Sequence, residues 1–101
     1  MTLTLDITAN EDFNLGEVRD IVTSALEREL LQARSRRDAY QLECQSYEER
    51  YGITTDAFAV AFEEGTLGDD AYLFDWYGAK QGLDRWNRRV DILTGVTVAP
   101  A

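Results

Sequence analysis

Two kinds of side chain in this sequence could do chemistry: a group of carboxylates and a single thiol. The thiol belongs to Cys44, and because the chain contains no histidine, no imidazole is available to activate it. No glycine-rich loop of the kind that holds phosphates occurs either. The sequence therefore predicts a protein that binds another macromolecule and is not an enzyme.

The carboxylates are concentrated in residues 52–75, which we call the acidic segment. This segment has no basic residue, so it accounts for six of the nine excess negative charges of the chain. One interpretation is that these are helix-start residues and a solvated helix face; the other is a docking surface for a basic partner. The carboxylates are Asp56, Glu63, Glu64, Asp69, Asp70 and Asp75.

A metal site or a hydrolytic site in the acidic segment is not expected. The stretch from Glu63 to Asp70 is rich in oxygen ligands and glycine, but it lacks the alternating ligands and distal glutamate of a calcium loop. Hydrolysis by paired carboxylates needs a cleft and a raised pKa on one partner, and a small helical hairpin offers no obvious cleft. We expect no metal and no cofactor.

Composition limits the class of protein and its partners. The chain has 101 residues, 45% of them hydrophobic, which fits one ordinary domain. A net charge of −9 argues against direct nucleic-acid binding and fits a basic protein partner. The lone cysteine favours a reducing compartment, and neither a signal peptide nor a membrane-spanning run is apparent. We therefore expect a cytoplasmic protein that does not enter a membrane.

Hydrophobic spacing predicts a mainly α-helical protein. Residues 17–51 contain no glycine or proline, and their apolar positions recur at steps of three or four, a pattern close to a heptad repeat. Gly52 ends this helix, and Thr54 caps a short second helix at 55–64. The predicted seam of the first helix is Val22, Leu26, Leu30, Ala33, Arg37, Tyr40, Cys44, Tyr47 and Tyr51.

The third predicted helix covers 70–94, with Asp69 as its cap and Gly95 at its end. Its seam also advances by three or four residues each time. The first and third helices are expected to form a long antiparallel, coiled-coil-like hairpin, with the short helix folded across the turn end. The seam of the third helix is Tyr72, Trp76, Ala79, Leu83, Trp86, Val90 and Leu93.

Short strands are predicted at both ends of this single domain. Residues 3–8 alternate apolar and polar side chains, and residues 96–98 follow Gly95 with a second alternating stretch. An up-and-down hairpin returns the chain to its starting end, so the two strands could pair there, although an isolated two-stranded ribbon is marginal in water. Whether they pair within or between chains is left open.

Two groups of arginines balance the acidic segment, and we call them together the arginine cluster. Arg37 is unusual because it falls on the predicted seam. It could extend its stem outward, pair with an acid such as Asp84, or fix the register of the hairpin. The arginine cluster consists of Arg34, Arg36, Arg37, Arg85, Arg88 and Arg89.

The apolar surface exceeds what one hairpin can bury, which favours association. The outward side of the first helix carries Leu31 and Leu42, and Leu73, Phe74 and Tyr77 lie off the seam of the third, where Phe58 and Phe62 should cover them. Pairing of hairpins into a homo-oligomer would hide this surface. The residues that we expect to contact a partner are Phe58, Phe62, Glu63, Glu64, Asp69, Asp70, Phe74, Asp75 and Trp76.

The middle of the chain also resembles a family of small prokaryotic proteins that are taken to be antitoxins. The resemblance rests on Tyr47–Phe58, which includes Arg50-Tyr51-Gly52, on Phe62–Asp70, which includes Leu67-Gly68-Asp69, and on the acidic and aromatic run Phe74–Trp76. It implies a protein that masks a basic toxin encoded beside it. No lysine or arginine occurs on the predicted first strand, so the operator binding of some antitoxins is not expected. The alternative is a structural homo-oligomer without a client.

Overall fold

The computed structural model describes residues 2–8 and 12–99 of the chain. Within these ranges it contains three helices: α1 at Leu15–Tyr51, α2 at Thr55–Glu63 and α3 at Ala71–Thr94. Helices α1 and α3 pack against each other along an elongated body of 62 × 23 × 18 Å, and α2 lies at the turn end. The predicted helical hairpin is therefore confirmed.

The helix boundaries follow local capping chemistry. Helix α1 begins at Leu15, two residues before its predicted start, because the Asn14 Oδ1 atom accepts a hydrogen bond from the Gly16 N–H at 2.6 Å. It ends where Gly52 adopts a left-handed conformation with φ of 73° and donates its N–H to the Glu48 carbonyl. A non-glycine residue at position 52 would be strained by this conformation.

Helices α2 and α3 also differ from prediction by one residue at an end. The Thr54 hydroxyl caps α2 by accepting the Ala57 N–H at 3.1 Å, as predicted, and the helix ends at Glu63. The N-cap position of α3 is occupied by Asp70 and not by Asp69. The Asp70 side chain makes no capping hydrogen bond, so its carboxylate is left facing solvent.

Both predicted seams form the contact between α1 and α3. In α3 every seam residue is buried or half-buried, and in α1 the same holds except for Tyr51, which is 38% exposed. The Tyr40 ring packs directly against buried Gly82, where a Cβ atom would lie 2.5 Å from the ring. Glycine at this position therefore lets the two helices come together around the tyrosine.

The hydrophobic core is concentrated at the turn end. The Trp76 ring stacks on the Phe58 ring with centroids 3.9 Å apart, and Leu73 completes this buried group. Along the rest of α1, by contrast, no side chain between Leu15 and Gln32 is buried. The hairpin is therefore packed most completely where α2 joins it.

Helix α1 is longer than its antiparallel partner. It has 37 residues against 24 in α3. The Arg89 guanidinium meets the Glu29 carboxylate at 3.2 Å, and α3 ends five residues after Arg89. Roughly the first nine residues of α1 therefore extend beyond the end of α3, a distance of about 14 Å.

The prediction of short terminal strands is wrong. Residues 2–8 and 96–99 form no strand, and Leu3, Leu5 and Ile7 are all more than half exposed. Alternation of apolar and polar residues was too weak a signal, because a strand with an apolar face needs another surface to bury that face. Here no such surface is free, since the seam residues of α1 and α3 cover each other. None of the helices in the described ranges has both the length and the apolar character needed to cross a membrane.

Candidate functional site

The turn end of the hairpin is held together by a polar network beneath the acidic segment. The Glu48 carboxylate at the end of α1 accepts the Thr55 backbone N–H at 2.7 Å, which fixes the start of α2. The Thr55 hydroxyl is buried and accepts the Trp76 indole N–H at 3.1 Å, which ties α2 to α3. The three helices are therefore joined by hydrogen bonds as well as by the aromatic core.

The aromatic side chains around Trp76 form a continuous stack across the turn end. Tyr47 and Tyr51 of α1 stack on the Trp76 ring with centroids 5.3 and 5.8 Å away. On the other side of the core, Phe62 stacks on Tyr77 at 4.4 Å and meets Phe74 edge-on at 5.3 Å. Offset and edge-on pairs of this kind add stability beyond simple burial. The acidic segment therefore packs on a well-ordered aromatic core.

The structure separates the predicted contact residues into two groups. Phe58 and Trp76 are 0% and 1% exposed, so their side chains hold the core together and lie out of reach of a docking partner. Phe62 is half-buried. The remaining predicted residues are exposed: Glu63, Glu64, Asp69, Asp70, Phe74 and Asp75.

Four of the exposed carboxylates have no hydrogen-bond or ion-pair partner among the described residues. They are Glu64, Asp69, Asp70 and Asp75. Glu63 instead accepts the Tyr77 hydroxyl at 2.8 Å, and Asp56 lies 3.6 Å from Lys80. The far end of the acidic segment is therefore a surface of unpaired negative charge.

Exposed apolar side chains also occur at the turn end. Phe74 and Val60 are each 56% exposed, and Ile53 and Leu67 are 43% and 38% exposed. Sequence reasoning found Phe74 but missed the other three, because a lone apolar residue in a short helix or a turn carries no periodic signal. Acidic and apolar groups together give the turn end the composition of a protein-binding surface.

Lys80 lies beside α2, and its surroundings keep it charged. Its ammonium group pairs with Asp84 at 2.5 Å and with Asp56 at 3.6 Å. The hydrogen bond to Asp84 raises the pKa of Lys80, although partial burial acts in the opposite direction. Lys80, Asp56 and Asp84 together line two shallow grooves beside α2.

Cys44 lies under the turn end and is 3% exposed. Burial raises the pKa of its thiol, while a hydrogen bond from the Thr55 hydroxyl to the sulfur acts in the opposite direction. The thiolate needed for nucleophilic attack is therefore disfavoured. Among the described residues, no three histidine, cysteine or acidic side chains are placed to share a metal ion.

The arginine cluster lies at the middle of the hairpin, below the acidic segment. The guanidinium groups of Arg36 and Arg89 both lie over the Trp86 ring, at 5.3 and 5.7 Å from the ring centroid. Arg37 pairs with its neighbour Asp38 at 3.1 Å and not with Asp84, which is engaged by Lys80. Arg34, Arg85 and Arg88 have no ion pair or hydrogen bond among the described residues.

Four ionisable groups at the turn end predict a loss of stability at alkaline pH. Burial raises the pKa of Cys44 and of Tyr47, the hydrogen bond to Glu63 raises that of Tyr77, and the hydrogen bond to Asp84 raises that of Lys80. In each case the folded chain holds its proton more tightly than the unfolded chain. The stabilisation should be complete below the ordinary thiol pKa of 9.0 and lost progressively as the pH rises past 10.5.

Urea unfolding followed by circular dichroism, from about pH 8 to about pH 11, measures this effect. The free energy of unfolding should stay nearly constant up to the ordinary thiol pKa of 9.0 and fall above it. Tyr77→Phe removes one of the four groups, so its decline should be shallower than that of the wild-type chain. A free energy of unfolding that stayed constant to the top of the range would contradict the assignment.

Comparison with known proteins adds no homologue. No family model matches the chain, and no curated protein or solved structure is significantly similar to it.

Proposed function

We propose that this protein is a protein–protein interaction module that binds a basic partner with the acidic, apolar turn end of its hairpin. The observation that carries the proposal is the group of four unpaired carboxylates, Glu64, Asp69, Asp70 and Asp75, beside exposed Phe74 and Val60. Opposite charge would speed encounter with the partner, and the apolar contacts would supply most of the affinity.

The rigid base beneath the surface supports this proposal. Each carboxylate lies within or beside a helix or a short turn anchored by the Trp76 core. A surface that is ordered before binding loses little conformational entropy on binding. Because little of the binding free energy is spent on ordering the surface, even a chain of this small size could bind and mask a basic protein.

The chemistry of the partner follows from the charge of the surface. We propose a small basic protein, and the resemblance to antitoxins makes a toxin encoded beside this chain the first candidate. On this proposal the protein inhibits by occupying the basic surface of its partner, without catalysis and without direct contact to nucleic acid. Phe62 would contribute through its edge, since its face is covered by Tyr77.

Co-expression with the product of the adjacent reading frame, followed by affinity purification and titration calorimetry, tests the proposal. We compare the wild-type chain with a variant that neutralises three unpaired carboxylates of the turn end and leaves the α3 cap intact. Binding should weaken roughly a hundredfold, because several charge-assisted contacts are removed together. The changes are Glu64→Gln, Asp69→Asn and Asp75→Asn.

A matched control neutralises three carboxylates at the other end of α1: Glu17→Gln, Asp20→Asn and Glu27→Gln. It changes the net charge by the same amount, so its affinity should stay within a few-fold of wild type if position matters. If both variants bound the partner equally weakly, the loss of affinity would be due to net charge and not to the position of the carboxylates. Failure of the two wild-type proteins to co-purify at low salt would remove the antitoxin-like interpretation.

The alternative function is a structural homo-oligomer without a client. It is favoured by a different observation: Leu31 and Leu42 on the outward side of α1 are 65% and 67% exposed. These residues lie away from the acidic segment, so the alternative uses a separate surface. In that case neutralising the turn end would leave the assembly intact.

A further inference from the structure

A shallow groove lies between α2 and α3 at the turn end, and we call it the α2 groove. Its volume is about 310 Å³, and it is open to solvent. Ala59 and Tyr77 line it, and these two residues are buried and half-buried. The groove therefore has room for a few side chains of another molecule, and part of its lining is apolar.

The α2 side of the groove carries three exposed residues, Asp56, Val60 and Glu63, which we call the α2 ridge. They follow one another at steps of four and three, so they lie on the same side of the helix. Val60 is 56% exposed, and the Asp56 side chain is 91% exposed. Two carboxylates therefore flank one apolar side chain, with their backbone positions about 10.5 Å apart along the helix.

The carboxylates of the α2 ridge keep capacity to bind a cation. Among the described residues that line the groove, Lys80 alone is basic, and it pairs more closely with Asp84, at 2.5 Å, than with Asp56, at 3.6 Å. Glu63 uses its Oε1 atom to accept the Tyr77 hydroxyl. Asp56 and Glu63 each retain an oxygen that can accept a further charge-assisted hydrogen bond.

The spacing of the α2 ridge favours a helix as the matching surface. In a helix, residues i and i+7 lie on one face about 10.5 Å apart, with i+3 and i+4 between them. In a strand, residues on one face are separated by about 6.6 or about 13 Å, so two basic side chains would miss the carboxylates by roughly 3–4 Å. A helical partner therefore fits both charges and the apolar position between them.

We propose that the α2 groove receives a basic amphipathic helix of the partner protein. Arginine or lysine at i and i+7 of that helix pairs with Asp56 and Glu63, and an apolar side chain at i+3 or i+4 covers Val60. Arginine suits these positions best, because its guanidinium can bond a carboxylate through two N–H groups. This inference rests on the proposed function and specifies the form of the partner's contact.

Two synthetic peptides test the spacing, with binding to the purified full chain measured by fluorescence anisotropy at low salt. Both are alanine-rich helices of the same composition. The matched peptide has arginine at i and i+7 with leucine at i+3 and i+4, and in the displaced peptide the second arginine is moved to i+5, on another face. The matched peptide should bind at least tenfold more tightly, and equal affinities would overturn the inference.

Variants of the chain then locate the site. Asp56→Asn/Glu63→Gln should abolish the preference for the matched peptide, whereas Glu17→Gln/Asp20→Asn changes the net charge equally and should leave it intact. In Asp56→Arg/Glu63→Arg the preference should pass to a peptide with glutamate at i and i+7, which a change in stability alone would not produce. Circular dichroism confirms that each variant is folded. Equal loss of preference in the two neutralised variants would overturn the assignment to the α2 ridge.

Failure of this inference can be distinguished from failure of the proposed function. The peptides do not depend on the product of the adjacent reading frame, and the α2 ridge variants leave Glu64, Asp69 and Asp75 unchanged. If the partner co-purified but both peptides bound equally, the helix in the α2 groove would be wrong and the proposed function would stand. If the partner did not co-purify, the proposed function would be wrong, and the peptide preference would still decide whether the groove binds a basic helix.

Discussion

Replacing Trp76 with alanine should lower the free energy of unfolding by about 3–5 kcal/mol. The side chain is 1% exposed, stacks on Phe58 and donates its indole N–H to Thr55. Removing it leaves a cavity between the three helices and a buried hydroxyl without its donor. Because small domains are stabilised by roughly 5–15 kcal/mol, this change should remove a large fraction of the total.

Urea denaturation monitored by circular dichroism measures the loss, with Phe74→Ala as the matched control. Phe74 is an aromatic residue of the same helix, two positions away, but it is 56% exposed. Its truncation removes the edge-on contact with Phe62, so it should lower the free energy of unfolding by only about 0.5–1.5 kcal/mol. If the two alanine variants were equally stable, Trp76 would not be the centre of the core.

Gly82→Ala should destabilise the hairpin by about 1–2 kcal/mol, although alanine is normally the better helix former. The new methyl group would lie 2.5 Å from the Tyr40 ring, and three ring carbons are within 2.7 Å. The ring is held in the seam between α1 and α3, so the helices must separate or the tyrosine must leave its rotamer. This overpacking cost exceeds the propensity gain of about 1 kcal/mol.

Gly78→Ala is the control for this prediction. Gly78 lies one turn earlier in α3, and a Cβ atom there would meet nothing within 4 Å. The substitution should stabilise the chain by about 0.5–1 kcal/mol, measured by urea denaturation at a concentration low enough for the monomer to predominate. Opposite signs at the two glycines would establish that the contact with Tyr40, and not helix propensity, decides the outcome at Gly82.

The helices of this fold could be predicted from the sequence because their signals are local and repeated. The seam from Val22 to Tyr51 repeats over many turns, so single exceptions such as Arg37 do not obscure it. Capping residues then gave the boundaries to within two residues. The prediction of terminal strands was wrong because residues 3–8 have only three apolar side chains and no surface to pack them against.

The candidate site was only partly predictable. The acidic segment is visible as composition, but burial of Phe58 and Trp76 depends on how α2 folds back, which no spacing rule specifies. The bond from Trp76 to Thr55 joins residues twenty-one positions apart and has no sequence signature. The contact of Tyr40 with Gly82 is equally hidden, since a glycine inside a helix usually indicates only a weaker helix.

The uneven distribution of buried side chains along the hairpin has a consequence for its motions. Amide protons near the start of α1, where nine residues extend past α3 and no residue from Leu15 to Gln32 is buried, are released by small local openings. Amide protons around Cys44 and Tyr47, in the part of α1 that packs against the core at the turn end, exchange only when the whole domain unfolds. One continuous helix therefore contains a fraying segment and a globally protected segment, and the carboxylates of the turn end lie beside the protected one.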